Sequence, residues 1–151
     1  MNKERGNIKM KKQNKNKSNT CLIFTYGTLM QNNHNNHILG KAKYIGSATI
    51  PNHICFGLPY GFPMVINIGV EIDNYVMGEI WEVEINQLKQ LDVLEGYNKY
   101  EDNGMYLRRE IVATDLKGKD YKCYYYLWNS TIVKDSYIVP SGAKWNGEHN
   151  Y

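Results

Sequence analysis

The sequence predicts an α+β domain whose strands curl into one sheet or a small barrel. Segments rich in β-formers outnumber helical ones, seven against two. Most of these segments adjoin other strands rather than alternating with helices. At 151 residues the chain has the length of one domain, enough to bury a substantial core.

The first 20 residues, MNKERGNIKMKKQNKNKSNT, carry six Lys and one Arg against one Glu, a charge of +6 beside the whole chain's +3. The remaining 131 residues therefore hold 11 basic and 14 acidic side chains, a net of −3. Almost nothing apolar lies in this Asn- and Lys-rich stretch. Residues 1–20 read as a disordered basic tail and 21–151 as the folded domain. The pI of 8.6 thus describes the tail, and the mildly acidic remainder argues against a nucleic-acid partner. A secretory leader needs about 7–15 apolar residues after its basic start. Only Cys21-Leu22-Ile23-Phe24 follows here, and no run reaches membrane-spanning length. The expected location is cytoplasmic. Cys21, Cys55 and Cys123 are odd in number and lack metal spacing, so they read as buried free thiols.

The first strand, 22–26, is the apolar run Leu22-Ile23-Phe24-Thr25-Tyr26, and it stops abruptly at Gly27-Thr28. A strand ending in Gly and a small hydroxyl residue exposes backbone N–H groups that can hold an anion, although Gly also punctuates ordinary turns. A short helix is expected near 34–39. His34 and His37 within it have i,i+3 spacing, but no third ligand accompanies them, so no metal is expected. Strands follow at 43–50, 53–56, 63–66 and 76–83. The run RREIVATDLKGKDYKCYYYLW forms a hairpin of strands 106–115 and 121–128 around Lys117-Gly118-Lys119-Asp120.

The second helix, near 86–95, carries the most information. At 100° per residue Ile85, Leu88 and Leu91 form one apolar stripe, and Glu95 falls on it, roughly 20° from its centre. Gly96 then ends the helix. An inward carboxylate is costly to bury, and a helix C-terminus favours cations, so both effects raise its pKa toward the range of a general acid/base. The residues alone leave a second role open, a structural Glu95 accepting hydrogen bonds from backbone, Arg108 or Arg109. Asp92 lies on the other side of the stripe. A two-carboxylate pair with Glu95 has little to recommend it, since i,i+3 acids commonly serve caps and solvent.

YGTL after the first strand, then NHILGKAKYIG, GFPMVI, VMGEIWEV, LDVLEGY and YLRREIV occur in one order. That series resembles the γ-glutamylcyclotransferase superfamily, including AIG2-like proteins and γ-glutamylamine cyclotransferases, over roughly residues 21–129. The resemblance implies a small mixed β-barrel with flanking short helices and a pocket between the first strand's end and the acid-bearing helix. It implies that Tyr26, Gly27, Thr28 and Leu29 hold a γ-glutamyl group through backbone amides, and that Glu95 is the catalytic acid/base. Tyr126 aligns with a tyrosine that closes over substrate, and Tyr106 with Arg108 matches a Y-x-R pattern; either tyrosine reads equally as a core or rim aromatic. Asn36-His37 matches a structural position at a helix start. IVPSGAKW resembles the family's I-x-SG-x-W ending, with one extra residue before Trp145.

The implied reaction is attack of the substrate's α-amino nitrogen on its own γ-carbonyl, releasing 5-oxoproline and a free amine. The implied partner is a small γ-glutamyl substrate, and no metal or organic cofactor is required. Superfamily members act on γ-glutamyl amino acids, γ-glutamyl-ε-lysine or γ-glutamyl groups on antibiotics. Glutathione is disfavoured, because the longer architecture of the glutathione-specific branch is missing. Two rival classes are a non-catalytic γ-glutamyl binding module, against which an intact Glu95 counts, and an RNA-associated protein working through the basic tail, against which the acidic remainder counts.

Overall fold

The structure is a computed structural model and describes residues 19–59 and 61–147. It contains strands β1 (Thr20–Thr25), β2 (Lys43–Pro51), β3 (His53–Gly57), β4 (Pro63–Asn67) and β5 (Tyr75–Glu84), then helix α1 (Ile85–Leu94). Strands β6 (Tyr97–Asn98), β7 (Asn103–Gly104), β8 (Tyr106–Asp115), β9 (Asp120–Trp128) and β10 (Tyr137–Val139) follow. The disordered tail expected at 1–20 falls, up to residue 18, outside the described residues. Thr20 already belongs to β1, paired with Glu84.

Five strands close a barrel in the order β1-β5-β2-β8-β9, the curled sheet that the strand-rich sequence predicts. The ring closes through short seams, β2 meeting β8 at Ala48 with Asp115 and at Thr49 with Thr114. All its pairings are antiparallel except β1 with β9, joined in parallel at Ile23 and Tyr124. A smaller sheet, β10-β3-β4, packs beside it. Successive residues of a strand point to opposite faces, so Ile23 and Phe24 fall into different core clusters. Phe24 packs with Ala48, Ile80 and Tyr125, and Ile23 with Trp81, Leu88 and Leu91.

Strand topology gathers one end of the barrel. Because β1 runs parallel to β9, the residues leaving β1 lie beside Tyr126. The antiparallel β8–β9 pairing sets Arg108 opposite Tyr126 and brings Tyr106, at the start of β8, to the same end. The closing turn of that hairpin is built on Asp115, whose Oδ1 accepts the N–H groups of Lys117 and Lys119.

Helix α1 has ten residues, below the length at which an isolated helix persists in water, so packing and end contacts hold it. Its first N–H, at Ile85, donates to the Asn19 carbonyl, and Gln87 Nε2 donates to the Leu39 carbonyl at 2.6 Å. Leu88, Leu91 and Asp92 face the core. The predicted stripe is thus turned toward Asp92, and Ile85 is exposed. Gly96, at φ +66, takes the left-handed conformation that stops the helix. Its carbonyl accepts Met105 N–H at 3.1 Å, which fastens the helix end to the start of β8.

Near 34–39 the helix shrinks to a 3₁₀ turn over Asn36–Leu39. Asn33 and Asn36 here turn their side chains to the Gly27 and Leu29 carbonyls of the preceding loop. The short pair β6–β7 and the strand β10 have no signal above their turn-rich surroundings. Cys55 and Cys123 are buried free thiols, as expected, whereas Cys21 is half-buried. No described helix is long and apolar enough to cross a membrane, and no group of metal-ligating side chains forms among the described residues.

Candidate active site

A cavity of about 270 Å³ opens at the gathered end of the barrel. All seven residues singled out in the sequence line it: Tyr26, Gly27, Thr28, Leu29, Glu95, Tyr106 and Tyr126. Phe62, Pro63, Leu94 and Met105 supply apolar wall. Glu95 caps α1, its own N–H donating to the Leu91 carbonyl at 2.9 Å. The residue is half-buried in the cavity wall. That burial pushes its pKa from the ordinary 4.5 up to about 7.

The arginines that offered Glu95 a structural role are committed elsewhere. Arg108 Nη1 donates to Asp92 Oδ2 at 2.6 Å, and Arg109 pairs with Asp102 at 2.8 Å. Among the described residues no donor reaches the Glu95 carboxylate. It is an acid in the cavity wall with none of the described donors on its lone pairs.

The acid at 92 is the reverse case. Asp92 is buried, and its other oxygen accepts the Tyr126 hydroxyl at 2.8 Å. Arg108 in turn lies over the rings of Tyr97 and Tyr124. Asp92 therefore holds Tyr126 against the cavity, a task that the helical pattern does not reveal because its partners come from β8 and β9. Removing Asp92 strands a largely buried guanidinium and a buried hydroxyl. Asp92→Ala is expected to cost about 3 kcal/mol in denaturant unfolding, and Asp92→Asn distinctly less, because Asn keeps an acceptor for Tyr126.

The three cavity tyrosines have their protons assigned. Tyr26 donates to the Tyr126 carbonyl at 2.5 Å, Tyr106 to the Pro63 carbonyl at 2.6 Å, and Tyr126 to Asp92. Burial raises the pKa of each, most of all by desolvation. They remain protonated at every ordinary pH and line the cavity with their hydroxyl protons on protein acceptors.

The loop after β1 is braced from outside by a segment that looks featureless in sequence. Asn33 Nδ2 donates to the Gly27 carbonyl, Asn35 Nδ2 to Thr28 Oγ1, and Asn36 Nδ2 to the Leu29 carbonyl, each at 2.8 Å. Three asparagines thus hold three successive loop residues by oxygen atoms. The backbone N–H groups of Gly27, Thr28 and Leu29 find no acceptor among the described residues. Three successive unpaired donors in the wall of a cavity are the kind of backbone group that can receive an anion. Gly27 is not in the left-handed region. Its requirement is space, since a Cβ there would lie 2.9 Å from the Pro63 ring.

Residues 23–147 match the family model described as γ-glutamyl cyclotransferase, AIG2-like. A Drosophila melanogaster protein provisionally named γ-glutamylcyclotransferase is 29% identical over 112 residues, spanning 70% of this chain and 68% of its own. Among solved structures, an AIG2-like protein from Mus musculus superposes with a TM-score of 0.66 at 23% identity, covering 85% of this chain and 90% of that one. A γ-glutamyl cyclotransferase superposes with a TM-score of 0.58 at 21% identity, covering 73% and 67%. At these identities the two structures speak for the shared fold.

Proposed function

The chain belongs to the γ-glutamyl cyclotransferase, AIG2-like family, and on that premise we propose that it cyclises a γ-glutamyl amide to 5-oxoproline with release of the amine. The observation that carries the proposal is Glu95: a carboxylate with no donor partner among the described residues, on the wall of an apolar cavity, beside a loop of unpaired amides.

In this mechanism the N–H groups of Gly27, Thr28 and Leu29 receive the substrate's α-carboxylate or the oxyanion that develops at its γ-carbon. Glu95 takes a proton from the α-ammonium group, freeing the nitrogen to attack the γ-carbonyl. The same carboxyl then returns a proton to the departing amine. The attacking nitrogen gives up its second proton by the same route as the lactam forms, so that the amine leaves as an ammonium ion and one residue serves both transfers. The attack is intramolecular. Holding the glutamyl chain folded against Phe62 and Pro63 supplies much of the effective concentration. Tyr26, Tyr106 and Tyr126 keep the floor rigid and dry.

A pKa near 7 places Glu95 at its most useful as a base close to neutrality, and it sets the pH profile. Only the ionised form accepts the first proton. kcat/KM is expected to fall about tenfold per pH unit below 7, with an inflection near 7 rather than near 4.5. Initial rates between pH 5 and 8 check this; an inflection at 4.5 contradicts the assignment. Substrate is tested with a panel of γ-glutamyl amides, reading 5-oxoproline by mass spectrometry. No 5-oxoproline from any member, with binding intact, would favour a γ-glutamyl binding module.

A further inference from the structure

We infer that Glu79 is a positioning residue for the Tyr26–Leu29 loop and that Lys144, from the segment after β10, holds it in place. Glu79 lies on β5 and is 2% exposed. It does not line the cavity. Its backbone is paired in register with Thr25, the last residue of β1 before the loop begins. Its side chain meets the chain again where the loop ends, Oε1 accepting Gln31 N–H at 2.8 Å. One residue therefore fastens both ends of the excursion from 26 to 30, whose inner turn closes by Met30 N–H to the Gly27 carbonyl.

The remaining contacts fix the carboxylate itself. Trp81 Nε1 donates to Oε1 at 3.2 Å, and Lys144 Nζ pairs with Oε2 at 3.0 Å. Lys144 is 37% exposed, so the only cation on this buried charge among the described residues comes from the rim. The segment bearing it is seated by Trp145, which is buried, and by Tyr75, whose N–H donates to Ser141 Oγ and whose carbonyl accepts Gly142 N–H. Docking of the chain's last described stretch is thereby coupled to the geometry of the three loop amides. Without Lys144, a buried carboxylate keeps only neutral donors, and its hold on Gln31 loosens as it turns toward water. If the three unpaired amides together receive one anion, as the proposed function has it, they tolerate little displacement.

The inference rests on the proposed function for where substrate sits, and its test has a readout that does not depend on turnover. Amide hydrogen exchange is measured on wild type, Lys144→Met, Lys144→Arg and Glu79→Gln. In Lys144→Met the Gln31 and Met30 amides are expected to exchange about tenfold faster, while Ile80 and Ala113 in the barrel are unchanged. Lys144→Arg restores the wild-type rates, and Glu79→Gln loosens Gln31 less than Lys144→Met does, because it leaves no buried charge. With a turned-over γ-glutamyl amide, KM in Lys144→Met is expected to rise about tenfold with kcat within about threefold, since Glu95 is untouched. Unchanged exchange at Gln31 overturns the inference, as does exchange that rises equally throughout the barrel. If wild type releases no 5-oxoproline, the functional reading fails while the exchange data still decide the role of Glu79.

Discussion

Replacement of Glu95 by Gln is expected to lower turnover at least about 10²-fold, and up to about 10⁴-fold, without loss of fold. Gln keeps the shape and an acceptor oxygen but cannot take the proton from the α-ammonium group. The stability response has a defined sign. Burial raises the native-state pKa of Glu95 to about 7 from 4.5, so between those values the native state binds more protons than the unfolded chain. Stability therefore falls as pH rises through this window, and the deficit is complete above 7. Gln carries no such deficit. The variant should melt with wild type at pH 4 and above it at pH 8, by about 1–3 kcal/mol in unfolding free energy. A glutamate held by an ion pair predicts the reverse, a variant that melts early and turns over normally per folded molecule. Melting temperature and 5-oxoproline release measured on one preparation separate the two.

Gly27→Val should weaken binding of a γ-glutamyl ligand by about 10²-fold or more, through displacement of the loop amides. The cause is crowding. A Cβ at this position would sit 2.9 Å from Cδ and Cγ of Pro63, a rigid ring that cannot rotate aside. Pro63 opens β4, and its carbonyl accepts the Tyr106 hydroxyl. Displacing it disturbs that bond as well, so the loop gives way first. The overpacking cost is about 1–3 kcal/mol, which the domain can absorb. Gly27→Ala should show the same effect in smaller measure. Calorimetry that finds wild-type affinity in Gly27→Val would remove this loop from the binding site.

The positions of Glu95 and of the loop were legible in the sequence for a common reason: both break a local pattern. An acid on an apolar stripe, and an apolar strand that ends at once in Gly-Thr, are visible within a few residues. The seven longer strands and the acid-bearing helix followed from periodicity and β-rich composition, to within a residue or two at their ends, whereas β6, β7 and β10 did not. Glu79, an acid sharing a strand face with Met77, Trp81 and Val83, offers the same kind of signal and was missed, whereas Asp92, Asn33, Asn35 and Asn36 carry no such anomaly. A polar residue in a polar loop or near a helix end is ordinary until its partner is known, and here the partner lies 16 residues away for Asp92 and Arg108.

By itself, the sequence determined which side chains break their local pattern, because side-chain type and local period need no third dimension. Only the tertiary structure decided which of two acids on one helix is free. Closure of the barrel through the parallel β1–β9 contact brings Arg108 and Tyr126 to Asp92 and leaves Glu95 facing the cavity with none of the described donors in reach. A carboxylate's protonation and reactivity depend on the neighbours within a few ångströms, and those neighbours are assembled from distant parts of the chain.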